Sequence, residues 1–468
     1  MAAYLLFEVM VMLLSRLNDV VWSPWLLGLF LAAGLYYSLR TGFFQIFRIP
    51  LWLRTTFGAM LRRRGRGNGR GISQFQALAT ALASTIGTGS IAGVATAIWF
   101  GGPGAVFWMW VSALLGMMTG CAEKLLSVRY RRAGPAGWLG GPMYYIRDGL
   151  KSPLLAGWFA LACLPATLTG GDMVQSSSIA AALQATFGWD RLAVGAAVAV
   201  LTGLVMVGGI GRIARVSSGL VPAMALLYLG GGAAVLAARA DQIPEAMALI
   251  FCSALRPEAA VGGGMGYTLA AALRYGVARG VFTNEAGLGT SAMAHAAAEV
   301  DCPARQGMWG IVEVCVSTLL VCTATALVIL VSGVYGPADA LVRGALGAVP
   351  PDRLGAPLTA AAFSSVLGPW GGAVVSLSLL LFAFSSILGW SWYGEQSILY
   401  LTGSRRLVPA YRLVFLSCVV LGSVWEGEAV WELVDLCNAL MAIPNLTALL
   451  LLSPQVLREL RDWERTGG

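Results

Sequence analysis

Charge is what this chain lacks. Only 12% of its 468 residues are Asp, Glu, Lys or Arg, where a soluble protein of this length carries roughly a quarter. So few charges cannot cover a solvated surface, which excludes a soluble globular enzyme or binding domain. Histidine is nearly absent: the single His295 cannot build a metal site by itself. No CxxC pair, HExxH run or paired-aspartate motif occurs, and the chemistries that need them go with them. The eight cysteines (121, 163, 252, 302, 315, 322, 418, 437) are scattered through or beside apolar runs. They read as small apolar fillers and not as disulfides. Residues 1–14 are apolar but show no basic leader and no AxA cleavage site. They read as an interfacial helix or short cap, not as a cleaved signal peptide.

What is there is apolar. Hydrophobic residues make up 57% of the chain, and the mean hydropathy is +0.74. The runs are long and uninterrupted, whereas a transmembrane β-barrel shows short alternating segments. The composition therefore predicts an all-α polytopic membrane protein. A span needs about 20 apolar residues. Eleven candidates stand at about 24–39, 74–100, 104–128, 153–186, 191–208, 218–238, 265–292, 307–334, 370–393, 409–424 and 429–453. The fourth contains Gly170, Gly171 and Asp172 and reads as one long, tilted helix, because neither half would cross alone.

Positive charge orients these spans. With the N-terminus outside and strict alternation, the inside segments hold 22 Arg and Lys and the outside segments 6. Eight of the 22 lie between Arg40 and Arg70. Cytoplasmic loops carry such an excess, so the expected topology is N-out and C-in in the cytoplasmic (inner) membrane. The net charge of +8 is accounted for by topology, not by nucleic acid. The basic run "LRRRGRGNGR" (61–70) reads as a flexible loop beside anionic membrane lipid.

Two of the spans are spoiled at their middles. "STIGTGSIAGVAT" (84–96) places Ser84, Thr85, Gly87, Thr88, Gly89, Ser90 and Gly93 inside the second. "RGVFTNEAGLGTSAMA" (279–294) places Thr283, Asn284, Glu285, Gly287, Gly289, Thr290 and Ser291 inside the seventh. Glycine is a poor helix former, and hydroxyls compete for backbone hydrogen bonds. Small residues three or four apart also make ordinary helix-packing faces, and one such run alone would decide little. The two runs lie five spans apart in oppositely directed helices. Corresponding breaks in two inverted halves point to a secondary transporter. A break offers half-helix N–H groups to an anion and bare carbonyls to a cation.

At this point the sequence resembles a family. "QALATALASTIGTGSIAGVATAIWFGGPGAVFWMWVSALLGM" (76–117), "GGPMYYI" (140–146), "RGVFTNEAGLG" (279–289), "VCTATALVILVSG" (321–333), "FAFSSILGWSWYGE" (382–395) and "MAIPNLTALLLL" (441–452) are similar to the alanine/glycine:cation symporters, the sodium:alanine symporter family. The resemblance implies a leucine-transporter-type fold of the amino acid-polyamine-cation superfamily. One peripheral helix and a basic loop (1–70) would precede a 5+5 inverted repeat (71–264 and 265–453) with discontinuous helices 2 and 7, and a cytoplasmic tail (454–468). It implies sodium-coupled uptake of a small neutral amino acid, alanine or glycine, with no cofactor and sodium as the coupling ion. A proton-coupled carrier of a related zwitterion such as serine is the alternative.

The resemblance also assigns residues. Backbone N–H groups around Gly87, Thr88 and Gly89 would meet the substrate carboxylate, with Ser90 adjoining them. Gln175 would be a substrate contact. Phe282 and the Thr283–Asn284 backbone, with Gly287, would form the opposite wall, and Trp390 would limit side-chain size. The carbonyls of Ala83 and Ile86 with the hydroxyls of Ser385 and Ser386 would hold sodium, since hard cations want oxygen ligands. By spacing alone, Ser385 and Ser386 are a serine pair bonding back to their own helix. The family pattern carries Asn at Ser90 and Asp at Ser317, so an amide and a buried negative charge are missing here.

Ionisable residues inside spans are expensive and mark function by default. Glu285 reads as a cap on the half-helix after the second break, with a proton site as the other reading. Glu313 would pair with Arg274 or Arg279. Glu123 and Lys124 would snorkel from a helix end, and Asp172 would line the access path. An intramembrane serine hydrolase needs a base for Ser90. His295 falls at the cytoplasmic end of the seventh span, too far along the helix to supply one. A channel would need a repeated polar filter, which the breaks do not form.

Overall fold

In a computed structural model of the chain, residues 2–58, 60, 71–134, 137–255, 269–335, 355–425 and 428–466 are described. Among them the only sheet is the small hairpin of Arg132–Gly134 with Gly137–Leu139. The remainder is helices and their connections. The basic run 61–70 and Arg256, Arg343 and Arg353 lie outside the described residues.

Seven helices are each long and apolar enough to cross a bilayer: Gly104–Arg129, Pro153–Phe187, Gly209–Ala238, Pro303–Val331, Pro369–Thr402, Arg405–Val424 and Val430–Leu451. They coincide with seven of the eleven expected spans. The other four fall short for visible reasons. Pro24–Arg40 is bent by 43° against Val11–Val21 at the Ser23–Pro24 step. Arg191–Met206 has only 16 residues. The second and seventh expected spans are broken, as their glycines and hydroxyls predict. Gln74–Thr85 stops, a 3-10 turn spans Thr88–Ser90, and Ala92–Gly101 resumes. Leu269–Asn284 stops and Ala292–Ala296 follows.

Local chemistry fixes the first broken helix at its start. Ser73 caps it with a full capping box: its hydroxyl accepts from the Gln76 N–H at 3.1 Å, and the Gln76 side chain accepts from the Ser73 N–H at 3.0 Å. Pro153–Phe187 is one helix of 35 residues, as expected, but not a uniform one. A π-helical turn occupies Thr169–Met173, where the two glycines weaken the helix. Such turns commonly mark functional sites.

Several helices lie outside the expected spans. Ala2–Val21 fits the interfacial-helix reading of residues 1–14 and runs beyond it, and Ile243–Leu255 and Ala356–Leu367 occupy stretches read as connections. Ser453–Arg465 is amphipathic and buries Val456, Leu457, Leu460 and Trp463. Arg48–Glu464 (2.9 Å) and an Arg129–Glu459 ion pair also tie it down. The expected tail is thus a docked helix.

The hairpin is pinned by Asp148, which accepts from both Arg132 (3.0 and 2.8 Å) and Arg147 (2.9 and 3.1 Å). Burial works against its charge, but the two guanidiniums outweigh burial and hold the carboxyl below the usual range. A carboxyl depressed in the fold stabilises above its unfolded pKa and loses that contribution as pH falls through the folded one. Asp148→Asn is expected to cost at most about 1 kcal/mol at pH 7, the pairs being partly exposed. The loss should vanish on acidification, as read by limited proteolysis of the hairpin.

Candidate functional site

The two breaks meet. Between them lies a cavity lined by Ser84, Thr85, Gly87 and Gly89 from the first and by Phe282, Glu285 and Leu288 from the second. Gly170 and Gln175 from the π-helical region close one side, and Trp390, Val434 and Asn438 complete the wall. Its volume is about 20 Å3, enough for roughly one water molecule. The site is closed around its own side chains.

Of the expected substrate contacts, Gly87, Gly89, Gln175, Phe282 and Trp390 reach this cavity. Thr88 stands just behind: its N–H donates to Gln175 Oε1 at 3.3 Å, and Gln175 Nε2 donates to the Gly170 carbonyl at 3.0 Å. Ser90, Thr283, Asn284 and Gly287 do not line it. Ser90 turns its carbonyl to the Thr325 hydroxyl (2.9 Å), and its own buried hydroxyl makes no hydrogen bond. Thr283 shares a hydroxyl contact with Thr318 at 3.3 Å. Asn284 folds back, its Oδ1 accepting from the Ala286 N–H at 3.0 Å. A small polar side chain at a helix end takes the nearest orphan backbone donor before it reaches across a cavity. Ser84, Thr85, Gly170, Val434 and Asn438 are lining residues that the sequence reading missed. The place of Ser84 and Thr85 in the first break and that of Gly170 in the mid-span glycine pair were the signals for three of them; nothing local pointed to Val434 or Asn438.

Glu285 does not cap backbone N–H groups as expected. It accepts a hydrogen bond from the Thr290 hydroxyl and so braces the loop of the second break. Its own backbone is left-handed at φ 54°, a conformation few non-glycine residues hold. Asn284 bonds the loop N–H of Ala286 instead, and the half-helix Ala292–Ala296 has no side-chain cap.

The expected sodium ligands are partly brought together. Ser385 Oγ lies 3.1 Å and Ser386 Oγ 3.0 Å from the Ala83 carbonyl, and Ser386 Oγ also lies 3.1 Å from the Ser84 carbonyl. Neither serine hydrogen-bonds the Ile86 carbonyl. Ile86 ends the helix, its N–H bonded to the Leu82 carbonyl at 2.8 Å, and the serines sit one turn earlier. Ser385 also bonds back to Phe382 of its own helix at 2.8 Å, so the packing role read from spacing holds as well.

Behind the second break is a buried charge cluster that departs from expectation. Glu123 and Lys124 do not snorkel; both are fully buried. Lys124 Nζ sits 3.3 Å from Glu123 and 3.3 Å from Glu313. Glu313 meets His295 at 3.1 Å, and His295 meets Gln306 at 2.6 Å. Glu313 therefore pairs with neither Arg274 nor Arg279. Arg274 binds Asp19 at 3.1 Å, and Arg279 lies over the Phe282 ring at 5.7 Å. Those arginines lie ten and five residues before the end of Leu269–Asn284, whereas Glu313 meets His295, which follows the second break. Glu123 Oε1 accepts from the Gly287 N–H at 2.8 Å and from Asn445 Nδ2 at 2.7 Å, and Asn445 Nδ2 also meets the Gly287 carbonyl at 2.8 Å. Both backbone groups of Gly287 are thus held by neighbouring helices. Ser317 is buried in the π-helical stretch Cys315–Cys322, its hydroxyl 3.4 Å from the Val314 carbonyl. It has no place in this cluster.

A second cavity of about 130 Å3 adjoins the first and shares Phe282, Leu288 and Asn438 with it. Asp19, Arg274, Arg279, Glu432 and Asp435 line it. The N-terminal helix forms part of its wall: Asn18 bonds the Glu432 carbonyl at 2.6 Å and Trp22 the Asp435 carbonyl at 2.9 Å. Phe282, Leu288 and Asn438 stand between this charged vestibule and the smaller cavity, lining both.

A small cavity between two broken helices, with a charged cavity beside it inside an apolar bundle, fits a membrane carrier built on discontinuous helices. The chain belongs to the sodium:alanine symporter family, whose sequence pattern matches residues 7–467. It is 41% identical over 456 residues to the sodium/alanine symporter AgcS of Methanococcus maripaludis, covering 96% of each chain. It is 36% identical to a putative sodium/proton-dependent alanine carrier protein, YrbD, of Bacillus subtilis, over 96% of this chain and 92% of that one. Its fold is similar to that of a manganese transporter of Eremococcus coleocola (TM-score 0.52, 18% identity, 81% of this chain and 79% of that one). The protein is a multi-pass membrane transporter of the sodium-coupled, alanine-type amino-acid symporters, and not an enzyme.

Proposed function

We propose that this protein takes up a small neutral amino acid, alanine or glycine, down a sodium gradient across the cytoplasmic membrane. The observation that carries the reading is the meeting of both breaks at one closed cavity walled by Gln175, Phe282 and Trp390. The N-terminus is outside and the C-terminus inside. Eleven spans form a peripheral helix and two inverted five-helix repeats, 71–264 and 265–453. The charge bias and the paired breaks support this arrangement.

Substrate enters from the vestibule past Phe282. Its carboxylate takes the N–H groups of Gly87, Thr88 and Gly89 at the positive start of the Ala92–Gly101 half-helix. In doing so it replaces Gln175 Oε1 as the acceptor for Thr88. The ammonium turns to the backbone carbonyls that end the Leu269–Asn284 half-helix, and the side chain meets Trp390. Sodium binds at the carbonyls of Ala83 and Ser84 with Ser385 and Ser386, so ion and substrate share one weakened helix. Rocking of one repeat against the other around this site exposes it alternately to each side. Each net charge carried inward gains about 2.3 kcal/mol per 100 mV.

The direct test is uptake by purified protein in liposomes, with alanine, glycine and serine enantiomers, with and without a sodium gradient. Alanine or glycine uptake that stops when potassium replaces sodium at fixed pH is expected; unchanged uptake in potassium would overturn the reading. Ser386→Ala removes one ligand and should raise half-saturating sodium about tenfold, equivalent to about 1.4 kcal/mol. Maximal uptake at saturating sodium should be retained. Trp390→Phe should relax the size limit, so that valine competes with alanine several-fold better than in the unaltered protein.

A further inference from the structure

Asp172 is a buried acid that this transport scheme leaves unused. It stands in the π-helical turn Thr169–Met173, but it does not line the closed cavity and so is not on the access path expected from sequence. It is fully buried, and neither carboxylate oxygen has a hydrogen-bond partner. Among the described residues no Lys, Arg or His forms an ion pair with it. The titratable groups that feel it are Tyr411 and Cys418 of the facing helix Val408–Val424. Tyr411 is already engaged with Thr167 at 3.1 Å. The other helices against the turn present Trp390 and Val434 to Gly171 and Gly170. The nearest charges on those helices are turned elsewhere: Glu395 is paired with Arg412 at 2.7 Å, and Asp435 faces the vestibule.

An ionised carboxylate in this position would be an unpaired charge at membrane depth, at a cost of several kcal/mol. The neutral acid carries no such cost. It would also offer an O–H donor in a turn whose widened backbone disturbs the regular carbonyl acceptors. We propose that Asp172 is a proton-binding site, occupied in this closed state and emptied when Val408–Val424 moves and admits water to the turn. The ligand is a proton, bound and released without any other bond changing, at a place separate from the sodium ligands. The site shares its helix with Gln175, three residues on, so the protonation state of the turn and the position of the Gln175 amide, which bonds Gly170 and Thr88, move together. The release half of this inference rests on the alternating-access reading above.

The test uses the full-length protein in liposomes loaded with a pH-sensitive dye. Sodium-driven alanine uptake should be accompanied by proton movement and should vary with external pH. In D172N, which keeps the shape and loses the titration, uptake should persist with at least a fivefold smaller proton signal and a flattened pH profile. An unchanged proton signal and profile in D172N would overturn the proposal. Failure of alanine uptake in the unaltered protein would count against the transport reading alone, because the site has a separate readout. The infrared spectrum at pH 7 should contain a protonated-carboxyl band that D172N lacks. Where D172N does not fold, D172E should shift that band. A spectrum without the band, or a band untouched by both variants, would overturn the site itself.

Discussion

Replacing Gly87 with leucine is expected to abolish substrate binding while the protein still folds. A Cβ at this position would stand 2.5 Å from Ser386 Oγ and 3.0 Å from Gln175 Oε1. Both neighbours are proposed ligands, one of sodium and one of substrate, so the added side chain intrudes on both at once. Alanine already supplies the Cβ, and overpacking of this size costs about 1–3 kcal/mol. Gly87→Ala should therefore weaken alanine binding roughly five- to 150-fold, and leucine should bring it below detection. Scintillation proximity binding with labelled alanine measures this. A normal elution profile and melting temperature would show that the fold survives. Unaltered affinity in Gly87→Leu would remove the first break from the site.

Glu123→Ala should have the largest effect on stability. It strips the Gly287 N–H and Asn445 Nδ2 of their shared acceptor and leaves Lys124 with one carboxylate, Glu313. Breaking a buried ion pair from one side costs about 3–5 kcal/mol. Glu123→Gln keeps an oxygen for Gly287 and loses only the charge, so it should be clearly milder. The comparison separates the two duties of the residue. Melting curves in detergent should show a large drop for Ala, and sodium-driven uptake should be lost with it. Equal melting temperatures for Ala and the unaltered protein would mean that the second break is held by something other than this clamp.

The fold was legible where a physical rule acts along the chain. Composition gave the membrane, and the runs gave the long helices. The clash of glycine and hydroxyl with helix propensity gave both breaks within a few residues. The π-helical turn was half legible: Gly170, Gly171 and Asp172 were noticed, but a bilayer-length argument can count a helix and cannot describe its pitch. What failed were pairings across space. Glu313 was matched with Arg274 and Arg279 on the strength of opposite charge, and its partners are Lys124 and His295. Glu123 and Lys124 were sent to the surface because they lie near a helix end, yet neighbouring helices cover that end completely. Ile86 was chosen as an ion ligand by counting back from the break, while the serines meet the helix one turn earlier. Phe282 and Trp390 came with the family resemblance, whereas Gln175 was also marked by being a polar residue at mid-membrane depth on the fourth span.

The serine pair has a consequence for how the proposed ion site works. With hydroxyls already resting on the Ala83 and Ser84 carbonyls, sodium does not enter a set of idle oxygens. Ser386 must swing its hydrogen away and offer a lone pair, while Ser385 can keep its hydrogen on the Phe382 carbonyl of its own helix, and the carbonyl facing Ser386 must give up a donor to accept a cation. Each hydrogen bond exchanged returns about 0.5–1.5 kcal/mol to the ion-free state. The site therefore has a resting arrangement of its own, and the ion is held by the difference between two satisfied states. That keeps binding shallow and allows discharge into a cytoplasm poor in sodium. A carrier must release its ion on every turn, and at the proposed site these hydroxyls would be the competitor that favours release.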